Sequence, residues 1–210
     1  MSKKIVLNSM GRCGSTVMFD FVFSSFKRFH SPIYEPQRKF LVNIRDLKTV
    51  NENNPSDLLE IWKTHDPDVP SEKREDILFV YQFAHPLNVL LSTVYGEVNR
   101  SIHISRHLKV DDSWVGTQRW IHEDVLGLEK HFDNWTTQTI NPVMLISYET
   151  MWDTVPQVCE FLGLSTEAIS LFPAKRDRKF DWNKLPEKIK KPLIKTYGNL
   201  IDKVENFNKE

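Results

Sequence analysis

Residues 1–17 read MSKKIVLNSMGRCGSTV, and this stretch decides the fold. The apolar run at 5–7 indicates a strand, the turn after it holds Gly11 and Gly14, and Ser15 opens a segment typical of a helix start. Glycines let the main chain approach a phosphate without Cβ clashes. N–H groups at a helix N-terminus add the positive end of the helix dipole. The stretch therefore predicts an anion-binding turn or, with equal weight, an ordinary strand-to-helix connection.

Two common phosphate-binding motifs are missing from this turn. The Walker pattern needs a lysine and a hydroxyl residue directly after its last glycine, whereas Gly14 is followed by Ser15 and Thr16. The dinucleotide fingerprint needs three glycines, and only Gly11 and Gly14 are present here. The turn therefore favours a phosphate-bearing ligand that is neither a nucleoside triphosphate nor a dinucleotide.

Composition bounds the function classes. The 210 residues are expected to form one domain, 1–210, and contain 40% apolar and 27% charged residues, as in soluble globular proteins. Lys plus Arg equals Asp plus Glu at 28 each, so no overall field attracts nucleic acid. The N-terminal apolar run is too short for a signal peptide or a membrane span, which predicts a cytoplasmic location. Cys13 and Cys159 form neither a disulfide framework nor a metal-ligand spacing.

Further along the chain, candidate strands alternate with candidate helices. Strands are predicted weakly at 59–62 and strongly at 77–83 and 143–146, the strong ones being nearly continuous runs of apolar residues. Helical spacing predicts helices over the ranges 87–98, 114–135 and 155–162, and one or two in 186–207, where Pro192 interrupts the pattern. This alternation predicts an α/β fold with a parallel sheet.

Polar residues follow the predicted strands and should therefore gather at one edge of the sheet. Ligands of such sheets bind at the carboxyl ends of the strands. Lys63 and His65 come after the second strand, Ser92 lies in the helix after the third, and Tyr148 and Glu149 follow the fourth. A cation, an imidazole and a hydroxyl are thus expected around the glycine turn, with Tyr148 and Glu149 in supporting roles.

These segments together resemble the sulfotransferases that use 3′-phosphoadenosine 5′-phosphosulfate. Residues 12–16, RCGST, are similar to that family's 5′-phosphosulfate loop, and 63–65, KTH, to the segment that carries its catalytic histidine. Residues 80–92 match its 3′-phosphate segment in part, and 148–151 with 161–164 match its later Y-E-x-[LM] and F-L-G-L. The resemblance implies a three-layer α/β/α fold with a central parallel sheet and a P-loop-like phosphosulfate-binding turn.

The resemblance also implies an enzyme, a transferase that moves a sulfonate group from this donor to an acceptor hydroxyl or amine. His65 would be the general base, because its unperturbed pKa lies near neutrality, and Lys63 would neutralise charge on the bridging oxygen. No metal is implied, and the acceptor would be a small molecule or a glycan, held by loops and helices such as 34–60 and 95–120. The donor, and its product adenosine 3′,5′-bisphosphate, would be bound by Gly11, Arg12, Cys13, Gly14, Ser15, Thr16, Ser92 and Arg176.

One departure from the family pattern concerns the 3′-phosphate. Ala84 stands where the family has an arginine, and His85 where it has an acidic residue, although Ser92 fits. The basic cluster at 175–179, which includes Arg176, is one candidate replacement, and His85 is another. A solvated surface turn is the alternative interpretation of the cluster. Two alternatives to a sulfotransferase stay open: a non-catalytic or degenerate nucleotide-binding protein on the same fold, and a small-molecule kinase.

Overall fold

A central five-stranded parallel sheet organises the computed structural model, which describes residues 4–29, 36–40, 59–175 and 179–209. Its strands are β1 (Lys4–Ser9), β2 (Gln37–Phe40), β3 (Glu60–Thr64), β4 (Ile77–Phe83) and β5 (Val143–Ser147), in the order β2-β3-β1-β4-β5. All four pairings are parallel, which confirms the predicted α/β class. β1 lies at the centre with all six residues buried, so the turn after it opens between the ends of β3 and β4.

Six α-helices in the described ranges cover the two faces of the sheet. They are α1 (Ser15–Phe29), α2 (Pro86–Val94), α3 (Val98–His107), α4 (Leu128–Thr137), α5 (Met151–Leu162) and α6 (Glu187–Phe207). Short 3₁₀ turns lie at Arg119–Ile121, Thr166–Leu171 and Trp182–Lys184. None of these helices is both long and apolar enough to cross a membrane.

The alternation of side chains along β1 creates two cores. Ile5 and Leu7 pack on one face with residues of α1 and α5, whereas Val6 packs on the other with α2, α4 and α6. Successive strand residues point to opposite faces, so a strand with helices on both sides is apolar throughout. The three-layer α/β/α arrangement follows.

Several predicted elements need correction. The predicted helix over 114–135 is wrong in its first half, because Gly116 and Gly127 adopt left-handed φ values of +80° and +61°, which an α-helix cannot contain. β3 extends to Thr64, so Lys63 lies within the strand and only His65 follows it. β2 and α3 carry weak patterns and were not predicted, while α6 runs as one helix through Pro192.

Candidate active site

The turn after β1, here called the glycine loop (residues 10–16), is shaped by three left-handed backbone positions within four residues. Gly11, Arg12 and Gly14 have φ values of +79°, +50° and +78°. A left-handed arginine costs roughly 1–2 kcal/mol, and such strain concentrates at functional sites. A Cβ on Gly14 would lie 2.7 Å from Cδ2 of Tyr148, so the glycine also lets this ring pack against the loop. At the start of α1, the first N–H groups have no partner within the helix and can hold an anion.

Gln82 braces the glycine loop from the neighbouring strand. Its side-chain Nε2 donates to the carbonyl oxygen of Cys13 at 2.7 Å, and the main-chain carbonyl of Gln82 accepts from the main-chain N–H of Met10 at 3.2 Å. The Cys13 thiol is buried and donates to that same carbonyl of Gln82 at 3.3 Å. Gln82 was not predicted as a site residue, although a single amide within the apolar run ILFVYQF is a visible signal.

Lys63 lies close to the first turn of α1. Its Nζ donates to Thr16 Oγ1 at 2.7 Å. Burial lowers the pKa of Lys63, while Cys13 and Asp20 act in the opposite direction. A cation in a partly desolvated position is attracted more strongly to an anionic ligand than one in bulk water. Lys63 therefore lies beside the glycine loop, where the sequence predicts a cation.

His65 is held by the end of β1 in a defined tautomer. Its Nδ1 lies 2.9 Å from the carbonyl oxygen of Ser9 and 2.7 Å from Ser9 Oγ. A carbonyl oxygen only accepts hydrogen bonds, so Nδ1 carries the proton and donates. The lone pair is then on Nε2, which forms no hydrogen bond with the residues that the structure describes. His65 lines the cavity beside the glycine loop, and an unprotonated Nε2 there is the form that a general base requires.

The ring of His65 stays neutral over a wide pH range. Its pKa is lowered to about 3, mainly by burial; the hydrogen bond to the Ser9 carbonyl opposes this shift, and the nearby charges of Lys63, His107 and His131 contribute to it. The His107 ring lies 5.9 Å from that of His65, centroid to centroid. A neutral imidazole accepts a proton without first having to lose one, at the cost of a low proton affinity.

Arg12 reaches across the loop toward α2. Its Nε donates to Ser92 Oγ at 3.2 Å, so the guanidinium predicted for the 5′-phosphate and the hydroxyl predicted for the 3′-phosphate lie together. Ala84 is fully buried in the core at the end of β4. An arginine at position 84 would overpack that core, which explains why a small residue stands there.

The connection between β4 and α2 is built by packing around His85. The His85 ring stacks on the Trp182 ring with centroids 4.8 Å apart, and the main-chain N–H of Trp182 donates to Asn88 Oδ1 at 3.4 Å. The Glu149 carboxylate accepts from the His85 N–H at 3.2 Å and from Ser147 Oγ at 3.0 Å. Glu149 thus braces this turn, which is the supporting role that the sequence predicts for it.

A cavity of about 720 Å³ joins these groups. Its lining includes the polar side chains of Arg12, Lys63, His65 and Ser92, and also the aromatic side chain of Trp152. The remaining lining residues are Gly14, Ser15, Thr16, Val17, Asp20, Phe21, Ser24, Asn88, Ile104, Tyr148, Leu171, Pro173, Ala174, Lys179 and Phe180.

Most of the predicted site residues converge on this cavity, with three exceptions. Gly11 and Cys13 do not line it; they are buried and shape the glycine loop from beneath. Arg176 lies outside the described residues, as do parts of the segment 34–60 that the sequence assigns to the acceptor. In the described ranges, no group of three or more His, Cys, Asp or Glu side chains is arranged to hold a metal ion.

Comparison with known proteins finds likeness in structure but none in sequence. No protein-family model matches the chain, and no curated protein matches it significantly in sequence. Among solved structures, a mouse sulfotransferase complexed with PAP is similar at a TM-score of 0.49 and 12% identity, over 98% of this chain and 89% of that one. At this level the likeness carries no weight for function, which therefore depends on the residues of the cavity.

Proposed function

We propose that the chain is a sulfotransferase that moves a sulfonate group from 3′-phosphoadenosine 5′-phosphosulfate to a hydroxyl or amine of a small-molecule or glycan acceptor. The observation that carries the proposal is the position of His65. It lines the same cavity as the glycine loop and Lys63, with its Nε2 unprotonated. A base, a cation and an anion-binding turn around one cavity are the groups that this transfer needs.

The cavity residues fit the donor in kind. The N–H groups at the start of α1 and the Arg12 guanidinium suit phosphate oxygens, and the aromatic lining residue Trp152 suits a planar ring. A cavity of about 720 Å³ is within the range of ligand and cofactor sites. The donor supplies an activated sulfonate that carries a single negative charge.

The reactive steps assigned to this chain are a proton transfer and charge stabilisation. His65 Nε2 accepts the proton of the acceptor hydroxyl or amine, whose freed electron pair forms the new bond to sulfur. The bond from sulfur to the bridging oxygen breaks, and Lys63 stabilises the negative charge left on that oxygen. A positioned base contributes about 10²–10⁴ in rate. Neither role needs a magnesium ion to bridge phosphates, in contrast to the transfer of a phosphoryl group.

The first test is binding of adenosine 3′,5′-bisphosphate without a metal. At a concentration of 100 times Kd, the ligand should raise the free energy of unfolding by about 2.7 kcal/mol, measured as a shift in Tm. ATP with magnesium is the matched control and should give a much smaller shift. A clear shift with ATP and magnesium and none with the bisphosphate would contradict the proposal and favour a kinase.

The second measurement follows transfer of labelled sulfonate from the donor to a panel of phenols, alcohols, amines and glycans. Product with any acceptor class supports an enzyme and identifies that class. Binding of the bisphosphate with no product across the panel, and no slow hydrolysis of the donor, would favour a non-catalytic nucleotide-binding protein instead.

A further inference from the structure

The segment that carries His65, here called the His65 loop (residues 65–67), accepts hydrogen bonds from side chains in one turn of α4. His131 Nε2 donates to the carbonyl oxygen of His65 at 3.2 Å, and Trp135 Nε1 to that of Asp66 at 3.0 Å. Asn134 Nδ2 donates to the carbonyl oxygen of Pro67 at 2.9 Å. Three side chains at positions i, i+3 and i+4 of a helix share one face, so each of three successive carbonyls meets a donor from that face.

The tautomer of His131 is set by its two neighbours. The His65 carbonyl only accepts, so Nε2 of His131 carries the proton. Nδ1 then accepts the hydroxyl proton of Tyr81, which lies 3.0 Å away. The two rings also stack, with centroids 5.4 Å apart and 19° between their planes. His131 is fully buried, which lowers its pKa to about 4 and keeps it neutral.

His65 is therefore fixed at two points. Ser9 holds the ring through Nδ1, and His131 holds the main-chain carbonyl of the same residue. A neutral, fully buried histidine is a costly way to satisfy one carbonyl, because the buried polar group needs partners on both nitrogens. His131 has a partner on each nitrogen, Tyr81 and the His65 carbonyl. The series of hydrogen bonds that starts at Tyr81 therefore ends at the proposed base, His65.

We propose that His131 is a positioning residue for His65, with Tyr81 fixing its tautomer and Asn134 and Trp135 completing a carbonyl clamp on the His65 loop. This inference rests on the proposed function only where turnover is measured. The clamp orients Nε2 of His65 toward the cavity and keeps water from loosening the loop. A displacement of 1 Å in a catalytic group costs on the order of 100-fold in rate, so loss of the clamp is visible in kcat.

Three variants separate positioning from general packing. His131→Leu removes the donor to His65, while His131→Gln places an amide N–H near the position of Nε2. Thr136→Val is the matched control on the same helix, because its hydroxyl donates only to the Phe132 carbonyl at 2.8 Å. We expect His131→Leu to lower kcat by about 10-fold or more, with the KM for the donor within about two-fold, and His131→Gln to recover most of kcat.

A ligand-free measurement makes the inference independent of the transfer reaction. NMR of the histidine ring nitrogens in the full chain reports the tautomer and pKa of His65. We expect the proton on Nδ1 and a pKa of about 3 in wild type, Thr136→Val and His131→Gln. In His131→Leu the pKa should rise toward 6.5 as water reaches the ring. Absence of sulfonate transfer in wild type would remove the proposed function but leave this measurement decisive.

The inference is overturned if His131→Leu leaves the tautomer and pKa of His65 unchanged, or if its kcat equals that of wild type. Should His131→Leu not fold, Tyr81→Phe takes its place, because it keeps the core volume and removes only the donor to His131 Nδ1. The His131 ring is then held only through Nε2, so we expect kcat to fall about three-fold and the pKa of His65 to rise. A folded Tyr81→Phe with wild-type turnover and an unchanged pKa of His65 would equally overturn the inference.

Discussion

The glycine loop and the side chain of His65 line one cavity, yet the glycine loop and the His65 loop are built in different ways. The glycine loop owes its shape mainly to three left-handed φ values within four residues, with one side chain, Gln82, bracing it. The His65 loop is held by side chains of α4 that lie 66 to 69 residues further along the chain. Under the proposed function, a ligand meets main-chain groups on one wall, the glycine loop, and a side chain fixed at long range on the other, the His65 loop.

This difference predicts which kind of substitution damages each loop. A backbone-built anion site is damaged mainly by adding a Cβ, whereas a side-chain base is lost with a single truncation. Substitutions on the two walls should therefore separate binding from turnover. Under the proposed function, the His65 wall controls kcat and the glycine loop controls the affinity for the nucleotide.

The largest expected effect is on turnover. His65→Ala should lower kcat by about 10²–10⁴, because a positioned base is lost, with the Kd for adenosine 3′,5′-bisphosphate nearly unchanged. His107→Ala is the control, since it removes a neighbouring imidazole that does not line the cavity. Wild-type turnover in His65→Ala would remove this residue from the reaction.

The pH dependence of the same reaction sharpens this prediction. The pKa of His65 is lowered to about 3, so the basic, neutral form is present at all pH values well above 3. The kcat/KM should therefore show no His65-dependent fall between pH 7.5 and 5, where an ordinary histidine would become protonated. A loss of activity with an apparent pKa near 6.5 that disappears in His65→Gln would contradict a buried, neutral His65.

The next effect is on the backbone-built wall. Gly14→Ala should weaken binding of the bisphosphate by more than about 10-fold. The new Cβ would clash with the Tyr148 ring, and alanine would also be strained at the left-handed φ of this position. Gly116→Ala is the matched control: its φ is +80°, and a Cβ there meets nothing within 4 Å. The control should lose only about 1–2 kcal/mol of stability through backbone strain and keep full binding. Equal binding losses in both variants would show that the glycine loop has no special role.

The glycine loop could be predicted from the sequence because its signals are local. Gly11 and Gly14 between an apolar run and a helix start specify a turn with left-handed positions, and the structure has both. The approach of Lys63 and His65 to that turn could also be predicted, since parallel strands bring their carboxyl ends to one edge. Both features follow from the order of the strands and the backbone freedom of glycine, and short sequence patterns are enough to predict them.

The clamp on the His65 loop could not be predicted in the same way. His131 lies on the buried side of an amphipathic helix, where a histidine in the sequence gives no sign of its partner. The direction of Arg12 was equally hidden, because its left-handed backbone turns the side chain toward Ser92. Both depend on contacts between distant segments, and periodicity reports which face of an element is buried but not what it meets.

The smallest expected effect tests the meeting of Arg12 and Ser92, the point where the glycine loop reaches α2. Ser92→Ala removes the hydroxyl that accepts from Arg12 Nε, a hydrogen bond worth about 1 kcal/mol, so affinity for the bisphosphate should fall by roughly three- to ten-fold. Affinity for adenosine 5′-phosphate, which lacks the 3′-phosphate, should change less if this pair holds that phosphate. Ser24→Ala is the control, because Ser24 also lines the cavity but lies on α1, away from Arg12. If Ser92→Ala weakened both ligands equally, the pair would hold the 5′-phosphate, and the cation that replaces an arginine at position 84 would have to be sought elsewhere.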